Sequence, residues 1–210
     1  MKKLIIIGAG GFAREVAWLV ETINDVQKEW ELVGFFDEFG QDYYPINGYT
    51  LLNETEFKKE INESFLVIAI GDGEVRKKVV DKLGPAKYAT LVDPKILLSK
   101  TTTIGEGSVI CRGTILTVNI HIGKHVIINL DCTVGHDAIL DDYVTLLPSV
   151  NVSGHVKVGE CSTVGTGSQI IQNINVGTNT IIGAGSVVVK DISSYCVAVG
   201  IPAKEIKNRR

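Results

Sequence analysis

Four histidines, His121, His125, His136 and His155, are the residues of this chain best suited to moving protons near neutral pH. His136 stands out. It lies two places after Val134, between Gly135 and Asp137, so its imidazole can project from a turn with a carboxylate beside it to hold its tautomer and raise its basicity. His121 and His125 lie four apart, with His155 further on. Three such histidines shared between subunits could hold zinc with an open position, which would make a hydrating or hydrolytic enzyme. A second locus is rich in glycine. Gly8-Ala9-Gly10-Gly11-Phe12-Ala13 follows an apolar run and opens a helical pattern, the Ala-terminated form of the dinucleotide fingerprint, and Asp37 closes the next apolar run. Glycines there let backbone N–H groups reach a phosphate at a helix N-terminus. Gly71-Asp72-Gly73 closes a third apolar run, and in an open parallel sheet these strand ends share the edge where ligands bind. With no second mononucleotide-binding half, the loop suits a nucleotide diphosphate moiety better than a whole nicotinamide dinucleotide.

The elements that must position these residues follow two grammars. From Val92 through Leu98, Ile104 and Ile110 to Ile182 and Val188, an aliphatic residue stands at every sixth position. That period is neither helical nor that of a half-buried strand, and it reads as a stacked parallel β-helix. Glycine follows the aliphatic at 105, 123, 159 and 177, with Asp141 in the missing place. A spacing of three hexads predicts a three-sided coil, about five coils between 101 and 190, with Gly, Asn or Asp beside the inward aliphatic permitting the turn between faces. Residues 1–92 instead alternate apolar runs with helical patterns, a small α/β domain of βαβ type with a parallel sheet. The expected division is 1–92 and 93–210. Val92-Asp93-Pro94 joins the two without a flexible linker, so they are expected to pack, the first domain capping one end of the coil and Tyr195 to Arg210 covering the other.

A net charge of −3, from 21 basic and 24 acidic residues with no basic tract, argues against a nucleic-acid partner. The apolar run Leu4 to Ile7 ends in glycines and reads as a strand rather than an export signal. No run is long enough for membrane insertion. Cys111, Cys132, Cys161 and Cys196 lie far apart, which fits free thiols in a reducing cytoplasm and no metal site.

With these residues in view, the chain resembles the left-handed β-helix, hexapeptide-repeat acyltransferases. Within them it is most similar to the branch of bacterial sialic acid O-acetyltransferases and UDP-, dTDP- or GDP-amino-sugar N-acetyltransferases. The likeness rests on Ile5 to Phe12 with Arg14-Glu15, Phe36-Asp37-Glu38, Ala69 to Arg76, Ile128-Asn129, Gly135-His136-Asp137, the hexads, and the tail Val199 to Lys204. It implies a left-handed homotrimer with acetyl-CoA as co-substrate, bound between adjacent coils, and no metal. It implies His136 as general base, Asp137 as its partner and Asn129 near the reacting centre. Thr145, Gly154, Thr166 and Ala184 would lie along acetyl-CoA. The nucleotide sugar would sit on Gly10, Gly11, Phe12, Asp37, Glu38, Gly71 and Asp72, presenting its acceptor to His136 of a neighbouring subunit. Two positions depart from the pattern: Phe12 stands where some amino-sugar members carry histidine, and Thr145 where a second histidine follows the base. Acetylation of an amino group of a 4-amino-deoxy sugar is the reading this favours. Its rivals are O-acetylation of sialic acid or a related hydroxyl, a zinc-dependent trimeric β-helix hydratase, and a non-catalytic trimer that binds nucleotide sugar. Covalent catalysis through Cys132 or Cys161 has no evident base in sequence.

Overall fold

A computed structural model describes residues 1–38 and 47–209 of the chain. The first domain is a parallel sheet of order β2-β1-β3-β4, built from β1 (Lys2–Ile7), β2 (Trp30–Phe36), β3 (Phe65–Ile68) and β4 (Lys87–Tyr88). Leu4 to Ile7 form a continuous apolar run and are all buried, as a strand covered on both faces requires. Helix α1 (Gly11–Val26) buries Ala13, Val16, Ala17, Leu19 and Val20, one stripe at helical spacing. Helix α2 (Glu54–Glu60) was not among the expected elements. Its signature is nevertheless present: Asn53 accepts the Glu56 N–H at 3.0 Å and the Glu56 carboxylate accepts the Asn53 N–H at 2.9 Å, a reciprocal capping box. Helix α3 (Gly73–Leu83) starts at Asp72, whose carboxylate accepts the Val75 N–H at 3.0 Å.

The second domain is a three-sided β-helix of two-residue strands. Two of its sheets have five strands each, giving five full coils, as the hexads require. The first face carries Leu91–Val92, Val109–Ile110, Ile127–Ile128, Thr145–Leu146, Thr163–Val164 and Ile181–Ile182; the second runs from Ile115–Leu116 to Val187–Val188, and the third from Thr103–Ile104 to Asn175–Val176. The second residue of each strand points inward. From Ile110 to Val188 every such residue is buried, making one ladder through the coil, and each full burial stabilises by about 1.5–3 kcal/mol. Leu98 alone breaks the period, lying outside any strand and exposed.

The turns differ from expectation in an instructive way. Left-handed backbone falls not beside each aliphatic but three residues after it, at Gly107, Gly113, Asn119, His125, Asp131, Asp137, Tyr143, Ser149, His155, Cys161, Gly167, Asn173, Asn179 and Gly185. The glycine column has another cause. A Cβ on Gly105 would stand 2.5 Å from the Gly123 carbonyl carbon, and one on Gly159 2.7 Å from that of Gly177; stacked coils approach too closely there for a side chain.

The first domain does not cap the coil. It lies along the first face, because the outward residues of that face are apolar: Leu91, Val109 and Ile127 are buried in one core with Ala13, Val16, Val20 and Trp30. Outward residues of the third face, Thr103, His121, Lys157 and Asn175, are exposed. Beyond the last coil, Cys196–Val199 extends the first face in parallel and Lys204–Asn208 returns antiparallel to it.

Arg76 of α3 is the centre of the junction and is fully buried. Its Nε donates to the His125 carbonyl at 2.8 Å; its terminal nitrogens donate to the carbonyls of Ile70, Gly71, Tyr143 and Val144 and to the Thr145 hydroxyl. Burial lowers its pKa to about 10, so it stays charged. Beside it, the His125 ring stacks on Tyr143 at 5.2 Å and meets the edge of Tyr88 at 4.6 Å. Its Nδ1 is buried without a partner. Burial first, and the Arg76 charge second, push the His125 imidazole down to about 4 from an ordinary 6.5. The sign follows. A depressed imidazole favours the neutral form in the fold, so its contribution is complete above the unfolded value and is lost as pH falls from 6.5 towards 4. His125→Asn, which the left-handed turn accepts as it does at Asn119 and Asn173, is expected to be less acid-sensitive than the wild type by about 2–3 kcal/mol between neutral pH and about pH 4.5. Urea unfolding at the two pH values checks it; equal acid losses in both proteins would contradict the assignment.

Candidate active site

The coil corner between the second and third faces carries His136. His136 precedes the left-handed residue Asp137, and the imidazole leaves the coil with 57% of its side chain exposed. Its Nδ1 stands 2.7 Å from Asp137 Oδ2. An ionised carboxylate only accepts, so Nδ1 carries the hydrogen and Nε2 presents its lone pair outward. Asp137 is held on two sides, for its other oxygen accepts from Asn119 Nδ2 at 3.2 Å. The hydrogen bond from His136, then that from Asn119, keep the Asp137 carboxyl below the usual range and therefore ionised.

Gly154 lies one coil above His136. A Cβ on it would fall 2.6 Å from both Cε1 and Nε2 of the imidazole, so the missing side chain is what gives the ring its place. Gly154→Ala is expected to turn the imidazole off its line, lowering turnover by about a hundredfold, the scale of a displacement near 1 Å, with little change in melting temperature. Steady-state rates and thermal unfolding on the same sample check both halves.

The nucleotide-type edge assembles on the first domain. Asp37 Oδ2 accepts the Ala9 N–H at 3.1 Å, tying the end of β2 to the glycine turn after β1. Helix α1 begins at Gly10 with no side-chain cap and no acidic residue in its first turn, whereas α2 and α3 are capped by Asn53 and Asp72. An uncapped N-terminus lined by Gly10, Gly11 and Phe12 offers N–H groups and positive potential to an anion. Gly71 follows the neighbouring strand β3 by three residues, and Glu38 pairs with Lys82. Asp72 spends a carboxylate oxygen on its helix.

Other expected positions fall elsewhere. Thr145 is buried on the first face, where its hydroxyl donates to the Gly71 carbonyl at 2.7 Å and accepts from Arg76 at 3.0 Å. It has no surface for acetyl-CoA; it fixes the Gly71 loop instead. Asn129 starts the corner between the first and second faces, and its side chain accepts the Leu130 N–H at 2.7 Å. Thr166 and Ala184 are exposed and stack along that same corner. The chain thus keeps His136, Asp137 and Gly154 one whole face away from Asn129, Thr166 and Ala184. The glycine-rich edge belongs to the domain lying on the first face, opposite the His136 corner.

The zinc reading loses its ligand set within the chain, because His125 is buried against Tyr143 and Tyr88 while exposed His121 bonds Thr103 at 2.7 Å. The thiols are poor nucleophiles: all four are buried, and burial pushes Cys132 and Cys161 up to about 11. Among the described residues no helix is long and apolar enough to cross a membrane.

Residues 3–83 match the PglD N-terminal domain. Over 98% of this chain and 99% of its own, the acetyltransferase domain of PglB from Neisseria gonorrhoeae, solved with acetyl coenzyme A, superposes with a TM-score of 0.87 at 30% identity. The chain belongs to this family of β-helical sugar acetyltransferases. Within the family it is 28% identical over 221 residues to GDP-perosamine N-acetyltransferase of Escherichia coli, covering 96% of this chain and 95% of that one. A histidine-to-asparagine variant of perosamine N-acetyltransferase from Caulobacter crescentus, solved with CoA and GDP-perosamine, superposes with a TM-score of 0.86 at 27% identity, over 98% and 97% of the two chains.

The sequence carries a signal for the setting of three further residues. Asn119 and His155 stand one coil below and above Asp137, at the three-hexad spacing already used for the glycines. Arg76 lies on the helical face of Val79 and Val80 rather than on the solvated one.

Proposed function

We propose that this protein transfers the acetyl group of acetyl-CoA to the amino group of a nucleotide-linked 4-amino-deoxy sugar, in a cytoplasmic step of surface-glycan synthesis. The observation that carries the reading is the exposed His136 whose Nδ1 is fixed on Asp137, leaving Nε2 as a base over the bare backbone of Gly154. The acceptor nitrogen attacks the thioester carbonyl. Its proton passes to His136 Nε2, the N–H of Gly154 faces the developing oxyanion, and the coenzyme leaves as a thiolate that takes up the proton.

The working unit is a homotrimer. Its support is the separation within one protomer: the phosphate-type edge rides on the first face while His136 stands on the opposite corner, and Asn129, Thr166 and Ala184 lie a face away. Packing three coils side by side would let one copy's sugar edge and acetyl-CoA corner meet the next copy's base.

The test is thiol release from acetyl-CoA against UDP-, dTDP- and GDP-4-amino sugars together with free and CMP-linked sialic acid. Turnover on an amino sugar that depends on His136 is the expected result. Turnover only on sialic acid would transfer the reading to a hydroxyl acceptor, and sugar binding with no thiol release would make the chain a binding module.

A further inference from the structure

Two imidazoles share one carboxylate at the His136 corner. Asp137 Oδ2 accepts from His136 Nδ1 at 2.7 Å, and His155 Nε2 lies 3.6 Å from the same oxygen. The two rings meet edge to face, their centroids 5.1 Å apart. The main chain ties them as well, since the His155 N–H donates to the His136 carbonyl at 2.9 Å. Nothing in the turn asks for an imidazole here. Asn173 holds the same left-handed position one coil above and Asn119 two coils below, and asparagine is the side chain that tolerates it best after glycine. His136 and Asp137 suffice for the chemistry proposed above, which leaves His155 without a task.

We propose that His155 is a positioning residue for acetyl transfer, offering its Nε2–H to Asp137 Oδ2 so that the carboxylate keeps the rotamer that orients His136. The proposal rests on the acetyltransferase reading. At 3.6 Å the contact is an electrostatic one that a small rotation closes to a hydrogen bond. Its second effect is on basicity. A donor on Asp137 weakens that carboxylate as an acceptor for His136, and a protonated His155 would compete for the same charge; both make the His136 imidazolium less stable. The groups that bear on the pair are Asp137 and the neutral Asn119; no other charged side chain pairs with these three among the described residues.

His155→Asn is the test, because the fold already places asparagine at this corner. Its melting temperature should match the wild type. Turnover should fall roughly tenfold, the scale on which losing an orienting neighbour lowers activity, with the KM for acetyl-CoA unchanged. The acid limb of kcat/KM should move to higher pH. An NMR titration of the His136 imidazole in both proteins needs no substrate and should show the same upward shift. A fall in rate with an unmoved limb and an unmoved titration would reduce His155 to a structural residue and overturn the proposal. If no amino sugar is turned over by the wild type, the acetyltransferase reading fails on its own, and the titration still decides whether His155 acts on His136.

Discussion

His136→Ala is expected to lower kcat by about 10²–10⁴-fold, the usual worth of a positioned general base, while leaving the protein as stable as before. The two halves of that expectation come from one geometry. The imidazole is exposed and makes its hydrogen bond to a partly exposed carboxylate, so its removal opens no cavity in the ladder and orphans no buried group. The lost function is the lone pair on Nε2, held in line because Nδ1 cannot turn away from Asp137. Steady-state rates with the acceptor found in the panel, beside a thermal melt, make the measurement. A loss smaller than about fivefold would remove His136 from the role of base.

Arg76→Leu is the opposite case, with its expected loss in stability. Arg76 is completely buried and donates to five carbonyls and one hydroxyl drawn from both domains. Leucine fills part of the space but leaves the carbonyls of Tyr143 and His125 and the Thr145 hydroxyl short of a donor inside the junction. A buried group stripped of its partner costs about 1–3 kcal/mol, and loss of a buried charged hub about 3–5 kcal/mol. A loss of about 3–5 kcal/mol is therefore expected in urea unfolding, with the first domain released before the coil. Arg76→Lys should recover only part of it, because a single ammonium cannot reach acceptors spread over Gly71, His125 and Tyr143. A leucine variant within about 1 kcal/mol of the wild type would show that water or rearranged backbone satisfies those carbonyls.

The coil was legible because its cause is local and repeated. Each inward aliphatic buries against the residue eighteen places away, so Ile128 sits on Ile110 and under Leu146, and the period of the chain is the period of the contact. The turn position was not legible at the same level. Gly105 and Gly123 mark where coils touch, whereas the left-handed residue is more often one with a side chain, such as Asn119, Asp137 or Tyr143, than glycine, and no residue type announces it. The dyad could be read from Gly135-His136-Asp137, since its members are adjacent in sequence. Its setting could not: the roles of Gly154 and Asn119 come from stacking, and the burial of Thr145 from a domain that docks on the side of the coil rather than on its end. That docking depended on Leu91, Val109 and Ile127 pointing outward, a reversal of the usual alternation hidden inside hexads whose inward positions look alike.

The strand at the end of the chain bears on colloidal behaviour. A stack of parallel two-residue strands would present, at its last rung, the same unpaired edge that each coil presents to the next, a template on which another copy could add. Here the first face ends differently. Lys204–Asn208 runs antiparallel along Cys196–Val199 and carries Lys204, Glu205 and Lys207, all exposed, so the outermost edge has the wrong direction and a charged surface. On this face a charged antiparallel strand stands where a further parallel rung would otherwise add.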